Sequence, residues 1–271
     1  MEIDYASRFG VLAHPQRLSV LRLLLRRYPD HVAAGEIAKV LGVKANTLSP
    51  YLNALRSAGF ASQSRIGTSL RYSAIPTGLG TLIDGFVAEC CHGRPDLCIG
   101  SNAHIPATKP YRTLFVCTGN SVRSIFAECL LAAIGGDMFE VHSAGTQPTS
   151  ELNPMAVRML KDKGHATHAL RSKHISEFQR AGAVFDFVFT VCDRAANEDC
   201  PAWAGQPISG HWSTPDPIKA NGTEGEQMLA FQTAYGMLRN RIEAFVALPH
   251  ETLDRLSRQR AVDDIAARDF A

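Results

Sequence analysis

Residues 114–124 read Leu-Phe-Val-Cys-Thr-Gly-Asn-Ser-Val-Arg-Ser, and they constrain this chain more than any other stretch: an apolar run, then Cys117, five residues, Arg123 and Ser124, and at once the helix-like Ile125–Ile134. A strand ending at Val116 and a helix starting near Ser124 leave a tight loop whose backbone N–H groups point inward, and the helix N-terminus adds roughly half a positive charge. Thr118, Gly119, Asn120, Ser121 and Val122 make up that loop. Such a field, with Arg123 and the Ser124 hydroxyl nearby, is expected to lower the Cys117 thiol from about 8.5 to roughly 4–7. Arg123 supplies the planar fork that pairs two oxygens of a tetrahedral oxyanion. The segment reads as an oxyanion cradle with a nucleophile in it; the plainer alternative is a core cysteine beside a surface arginine.

At 271 residues the chain exceeds one ordinary domain, and two cores of about 100 and 140 residues are the natural partition. Hydrophobic content of 45% and charged content of 20% suit globular folding. No apolar run reaches the roughly 18 residues of a membrane span, and Glu2 and Asp4 stand where a leader carries basic residues. No membrane partner and a cytoplasmic location are therefore expected. Seven cysteines, clustered at 90, 91, 98 and 192, 200, suit reactive or ligand thiols in a reducing compartment better than a secreted disulfide framework. Charge divides unevenly: residues 1–100 hold 11 Lys/Arg against 7 Asp/Glu, a net +4, and residues 101–271 hold 17 against 19, a net −2. The front end is the expected nucleic-acid partner. Residues 99–110 have the Gly, Ser and Pro content of a linker.

In the front part, Pro15 precedes apolar positions 18, 20, 21, 24 and 25, which is helical spacing. Ala33–Leu41 reads as a short helix stopped by Gly42, and a second follows from about Asn46 to Ser57. Helix, Gly-containing turn and helix form a helix-turn-helix pattern whose second helix is the expected DNA reader, with Asn46, Thr47, Ser49 and Tyr51 as groove contacts. Pro50 is tolerable in a first turn and kinks anything deeper. Phe60–Ile66 and Ser69–Ala74 flank Gly67-Thr68 as a β-hairpin, a wing on which Arg65 and Arg71 are expected to grip phosphate or the minor groove. A final helix is expected over about Leu79–Cys91. A winged helix kept only for protein contact is the alternative.

From the cradle onward, residues 111 to about 248 resemble the low-molecular-weight tyrosine phosphatase fold, particularly its arsenate reductase branch. Val141–Thr146 resembles the family's second strand and turn, Leu170–Ser176 its middle loop, and Trp212–Pro217 its general-acid loop. The fold class expected for the whole chain is an α+β winged helix-turn-helix followed by an α/β doubly wound parallel sheet. The expected divisions are 1–98, a linker over 99–110, 111–249, and a C-terminal helical tail over 250–271. Phe187–Val191 reads as a buried strand with Cys192 at its end and Cys200 eight positions on. The resemblance implies that Cys117 attacks arsenate while Asp216 protonates the departing oxygen. Cys192 then attacks Cys117 and expels arsenite, and Cys200 carries the disulfide to an external reductant. No permanently bound cofactor is implied. Ile218 stands where phosphatases of this fold usually carry tyrosine, which argues against an aryl substrate. Val122 stands where some thioredoxin-coupled reductases have a cysteine, which leaves thioredoxin, glutathione with glutaredoxin, and mycothiol open as donors. Cys192 and Cys200 as inert buried thiols, and Asp216 as a turn cap, remain alternatives; Cys129 is expected to be core.

Residues 6–98 resemble the ArsR family of winged-helix metalloid and metal repressors, which implies pairing of terminal helices in a homodimer and an imperfectly palindromic operator. Cys90, Cys91 and Cys98 can converge as three thiolates, a soft donor set suited to arsenite; zinc held with His92 is the alternative. Together the halves imply an arsenite-responsive repressor fused to an arsenate reductase. A DNA-binding regulator fused to a tyrosine phosphatase, and a repressor whose back half merely binds an oxyanion, are the competing readings.

Overall fold

The computed structural model describes residues 5–89, 110–198 and 203–268, and the chain divides into two units, residues 1–104 and 105–271. Cys90, Cys91, His92, Cys98 and Cys200 lie outside the described residues, as does nearly all of the expected linker.

The first unit runs α1 (Tyr5–Leu12), α2 (Pro15–Arg26), β1 (Val32–Ala33), α3 (Ala34–Leu41), α4 (Ala45–Ser57), β2 (Ala61–Ile66), β3 (Ser69–Ala74) and α5 (Pro76–Glu89). Pro15 opens α2, where the absent N–H has no helical partner to lose. Val20, Leu21, Leu23 and Leu24 of α2 pack with Ile37 of α3 and Leu48, Leu52 and Leu55 of α4 around Phe60. Gly42, at φ 65°, ends α3 in the left-handed region and turns the chain into α4. Pro50 lies within α4, past its first turn, and the helix runs on to Ser57. Its missing N–H removes the bond that residue 50 would donate to the Asn46 carbonyl, and Asn46 is exposed. The three strands form an antiparallel sheet in the order β1-β3-β2.

The second unit runs β4 (Tyr111–Cys117), α6 (Arg123–Gly135), β5 (Phe139–Gly145), α7 (Pro154–Asp162), α8 (Ile175–Arg180), β6 (Phe187–Thr190), α9 (Asp193–Asn197), β7 (Ile208–His211), α10 (Glu224–Val246) and α11 (Arg255–Ala267). Its four strands are all parallel, in the order β5-β4-β6-β7. Because both faces of a parallel sheet are covered, its strands read as continuous apolar runs, and Leu114, Phe115, Val116, Phe187 and Phe189 are buried. The chain leaves β4 for β5 on one side and later returns to β6 on the other. The carboxyl end of β4 is therefore the topological switch point, where open α/β sheets form their ligand crevice.

Residues 250–271, expected as a helical tail, carry the helix α11, and it is packed down. Val262 and Ile265 are buried, and Gln259 brackets Ser209 of the edge strand β7, accepting from its N–H at 3.2 Å and donating to its carbonyl at 2.7 Å. Among the described residues, no helix is long and apolar enough to cross a membrane.

Candidate active site

Cys117 is the last residue of β4, and the loop to α6 is turned by its hydrogen bonds. The carbonyls of Cys117, Thr118, Gly119 and Ser121 accept from the backbone N–H groups of Thr146, Gln147, Thr149 and Asn153 at 2.9–3.2 Å. With those carbonyls outward, the intervening peptide N–H groups face the interior of the loop, and that of Asn120 donates to Cys117 Sγ at 3.1 Å. Gly145 is required here: a Cβ at this position would lie 2.6 Å from the Thr118 carbonyl oxygen. Val122 precedes α6 and offers no side-chain cap, so the first N–H groups of the helix open onto the same space.

Asn120 holds this loop from within. Its φ of 45° is left-handed, a conformation asparagine tolerates better than most residues. Its amide donates to Ser124 Oγ at 2.9 Å and to Ser143 Oγ at 2.8 Å, and its Oδ1 accepts from the Lys173 N–H at 2.7 Å. Ser143 Oγ in turn donates to Glu128 at 2.5 Å, and Glu128 pairs with the buried Lys173 ammonium at 3.2 Å. The cradle therefore rests on a closed polar network with both charges matched. Ser124 Oγ lies 2.9 Å from Cys117 Sγ. Because that oxygen already accepts from Asn120, its proton is available to the sulfur.

The expected lowering of the Cys117 thiol is corrected. Burial pushes it up, and the neighbouring Cys192 pushes the same way, against the Ser124 hydroxyl and N–H and the Arg123 guanidinium; the balance is upward. The sequence displays the donors but not the depth: Cys117 is 2% exposed, so its charged form forfeits nearly all hydration.

Arg123 and Asp216 meet over the cradle. Arg123 Nη2 is 3.1 Å from Asp216 Oδ2, and Arg123 Nη1 donates to the Thr214 carbonyl at 3.3 Å. Asp216 also caps the 3-10 turn Pro217–Lys219 by accepting from Ile218 N–H at 3.3 Å, so the turn cap coexists with the ion pair to Arg123. The loop carrying Asp216 is fixed at its base by Trp212, fully buried and stacked on Phe189 at 4.1 Å, and by Arg241 of α10, which donates to the Ser213 carbonyl at 2.8 Å. Ile218, beside the acid, is 52% exposed and presents an apolar edge.

Cys192 is brought to the same place. It follows β6 and caps α9, its sulfur accepting from Ala195 N–H at 3.4 Å, and the Thr118 hydroxyl lies 3.5 Å from it. Cys129 faces the core behind the cradle, as expected, and burial, with Glu128 beside it, pushes its thiol up to about 12. The supporting Glu128, Arg241 and Gln147 escaped sequence reasoning, since none belongs to a motif.

In the first unit, Asn46, Thr47 and Ser49 are exposed at the start of α4. Tyr51 donates from its hydroxyl to Gln16 at 3.0 Å and its ring lies 4.9 Å from that of His14, so it leans toward α2 rather than outward with the other three. The two wing arginines do not share a face. Arg65 is opposite Leu70 and Arg71 opposite Ser64, which puts them on opposite faces of the hairpin. Arg65 is exposed, whereas Arg71 is tied to the His31 carbonyl at 3.1 Å.

The sequence profile described as "Low molecular weight phosphotyrosine protein phosphatase" matches residues 112–260, and one described as "Helix-turn-helix domain" matches residues 12–63. An arsenate reductase of Halalkalibacterium halodurans is 36% identical over 133 residues, and one of Bacillus subtilis 37% identical over 131; each alignment covers 48% of this chain and 91% of the relative. A glutaredoxin arsenate reductase of Synechocystis sp. is 29% identical over 136 residues, covering 50% of this chain and 96% of its own. With its cradle, acid loop and parallel sheet all inside the matched span, the chain belongs to the low-molecular-weight phosphotyrosine protein phosphatase family and carries a helix-turn-helix domain ahead of it.

Proposed function

We propose that this protein is an arsenate reductase joined to an arsenite-responsive DNA-binding repressor. The observation that carries the reductase is a second thiol beside the cradle: the sulfur of Cys192 lies 3.5 Å from the hydroxyl of Thr118, the residue after Cys117, and is near enough for its charge to act on the Cys117 thiol. Hydrolysis of a phosphate ester needs one nucleophile and one acid, whereas reduction of arsenic from the +5 to the +3 state needs two electrons, which a pair of thiols supplies in becoming a disulfide. The similarity to arsenate reductases, over 131–133 residues and 91% of each relative, supports the same choice.

In the proposed sequence the oxyanion takes the inward N–H groups and the Arg123 guanidinium, which releases Asp216. A doubly charged arsenate meeting a protonated Cys117 carries the same total charge as a singly charged arsenate meeting the thiolate. The raised thiol is therefore served by transfer of its proton to the incoming oxyanion. Cys117 Sγ attacks arsenic, and Asp216 delivers a proton to the departing oxygen. Cys192 then attacks Cys117 Sγ; the sulfur–arsenic bond breaks, its electron pair stays with arsenic, and arsenite leaves. Cys200 attacks Cys192, freeing Cys117, and an external thiol, thioredoxin or a small thiol with its glutaredoxin, reduces the 192–200 disulfide.

For the first unit, exposed Asn46, Thr47 and Ser49 on α4 and Arg65 on the wing form the proposed DNA face of a homodimer. Cys90, Cys91 and Cys98 are the proposed arsenite ligands. The reductase is tested by arsenate-dependent oxidation of NADPH with thioredoxin and thioredoxin reductase, in parallel with glutathione and glutaredoxin. Turnover that is lost in Cys117→Ser and in Cys192→Ser is expected. Hydrolysis of an aryl phosphate with no arsenate turnover in either system would contradict it.

A further inference from the structure

We infer that Gln147 is a positioning residue that holds the two thiols of the relay against each other. Its main chain and its side chain serve different partners. The Gln147 N–H donates to the Thr118 carbonyl at 2.9 Å and so fixes the loop that carries Cys117. Its side-chain carbonyl accepts from Arg194 at 2.8 Å, and its amide donates to Glu198 at 3.3 Å. Arg194 lies in α9 and Glu198 is its C-cap, and α9 is the short helix that Cys192 caps at the other end.

One residue thus ties the strand-to-helix loop bearing the first thiol to the helix bearing the second. Ala195 and Ala196 are the buried residues of α9, so its apolar anchorage is small and polar ties set much of its placement. On the other side, Asp193 accepts from Ser213 at 2.6 Å. Attack of Cys192 on Cys117 requires sulfur held in line at bonding reach, and a helix free to drift loses effective concentration even when both thiols are intact. Gln147 touches neither sulfur and takes no part in oxyanion binding; it acts through α9.

The inference rests on the relay proposed above, and its test is arranged to be independent of arsenate. In a Cys200→Ser background, Cys117 and Cys192 are equilibrated with glutathione and glutathione disulfide. The glutathione disulfide accepts two electrons and two protons as the 117–192 bond forms, leaving two glutathione thiols. The 117–192 disulfide is quantified by peptide mapping, and its effective concentration follows. Gln147→Ala is expected to lower that value about three- to tenfold, the range for loss of modest hydrogen bonds. Protection of Cys117 from iodoacetamide by inorganic phosphate, which needs the cradle alone, is expected to keep its phosphate dependence. Gln147→Glu, which faces Glu198 with a like charge, is expected to be as poor, and adding Glu198→Gln to restore the value. An unchanged effective concentration in Gln147→Ala would overturn the inference, as would a parallel loss of phosphate protection or failure of the double variant to recover. Absence of arsenate turnover in the unsubstituted protein would instead overturn the reductase reading and leave this measurement standing.

Discussion

At the scale of single residues, the chemistry turns on how deeply a thiol is set among its donors. Cys117, Arg123 and Ser124 were legible from spacing alone, because a strand, a short loop and a helix N-terminus leave little choice about where their polar groups point. The upward shift of the Cys117 thiol was not legible, because burial depends on Asn120 and Ser124 closing over the sulfur and on Cys192, which arrives from a remote strand. Since the Ser124 hydroxyl pulls the thiol down, Ser124→Ala is expected to raise it further. Alkylation of Cys117 by iodoacetamide at pH 8 should then slow, because less of the thiol is ionised. Cys117 in the unsubstituted protein should itself gain reactivity with rising pH beyond the range of a free thiol. An alkylation rate already level at pH 7 would show the donors outweighing burial.

At the scale of elements, order and type follow from periodicity and punctuation, and faces follow from register. The helix-turn-helix, the hairpin and the strands before Cys117 and Cys192 lie where the apolar spacing and the Gly and Pro residues suggest, and the second strand and the acid loop lie where the family resemblance puts them. Which side of the hairpin an arginine occupies depends on which residue it pairs with, and a single position of offset separates Arg65 from Arg71. Arg65→Ala is expected to weaken DNA binding and to reduce the slope of log affinity against log salt by about one, as for loss of one phosphate contact. Arg71→Ala should leave that slope unchanged, since Arg71 is tied to the His31 carbonyl; binding titrations across a salt series distinguish the two. The last helix, α11, gives a stability signature. Burial pushes Asp263 up to about 6 from an ordinary value of 3.8, with Asp264 adding to it and Gln259 opposing. The folded state therefore holds the proton more tightly than the unfolded state, so the contribution is full below about pH 4 and is lost as pH rises through 6. Asp263→Asn is expected to raise stability at pH 7 by about 1 kcal/mol, after allowance for solvent screening at a half-exposed group. It should also flatten the decline between pH 4 and 7, as urea unfolding at a series of pH values would show.

At the scale of the whole molecule, the two units were separable in the sequence by charge, by a Gly- and Pro-containing connection and by the change from helical to strand-and-helix patterning. Each fold was readable, but the residues that brace the cradle were not. Glu128, Gln147 and Arg241 are ordinary surface types in sequence, and their roles arise only when elements distant in the chain are packed together. The central claim is that one chain makes the ligand to which its own DNA-binding unit responds. The most direct test is fluorescence anisotropy of labelled duplex DNA from the region preceding its own coding sequence, with the unsubstituted protein and Cys117→Ser side by side. Arsenite should release the DNA from both proteins, and arsenate with a thiol reductant should release it from the unsubstituted protein alone. Release of Cys117→Ser by arsenate, or retention of DNA by either protein in arsenite, would contradict the account.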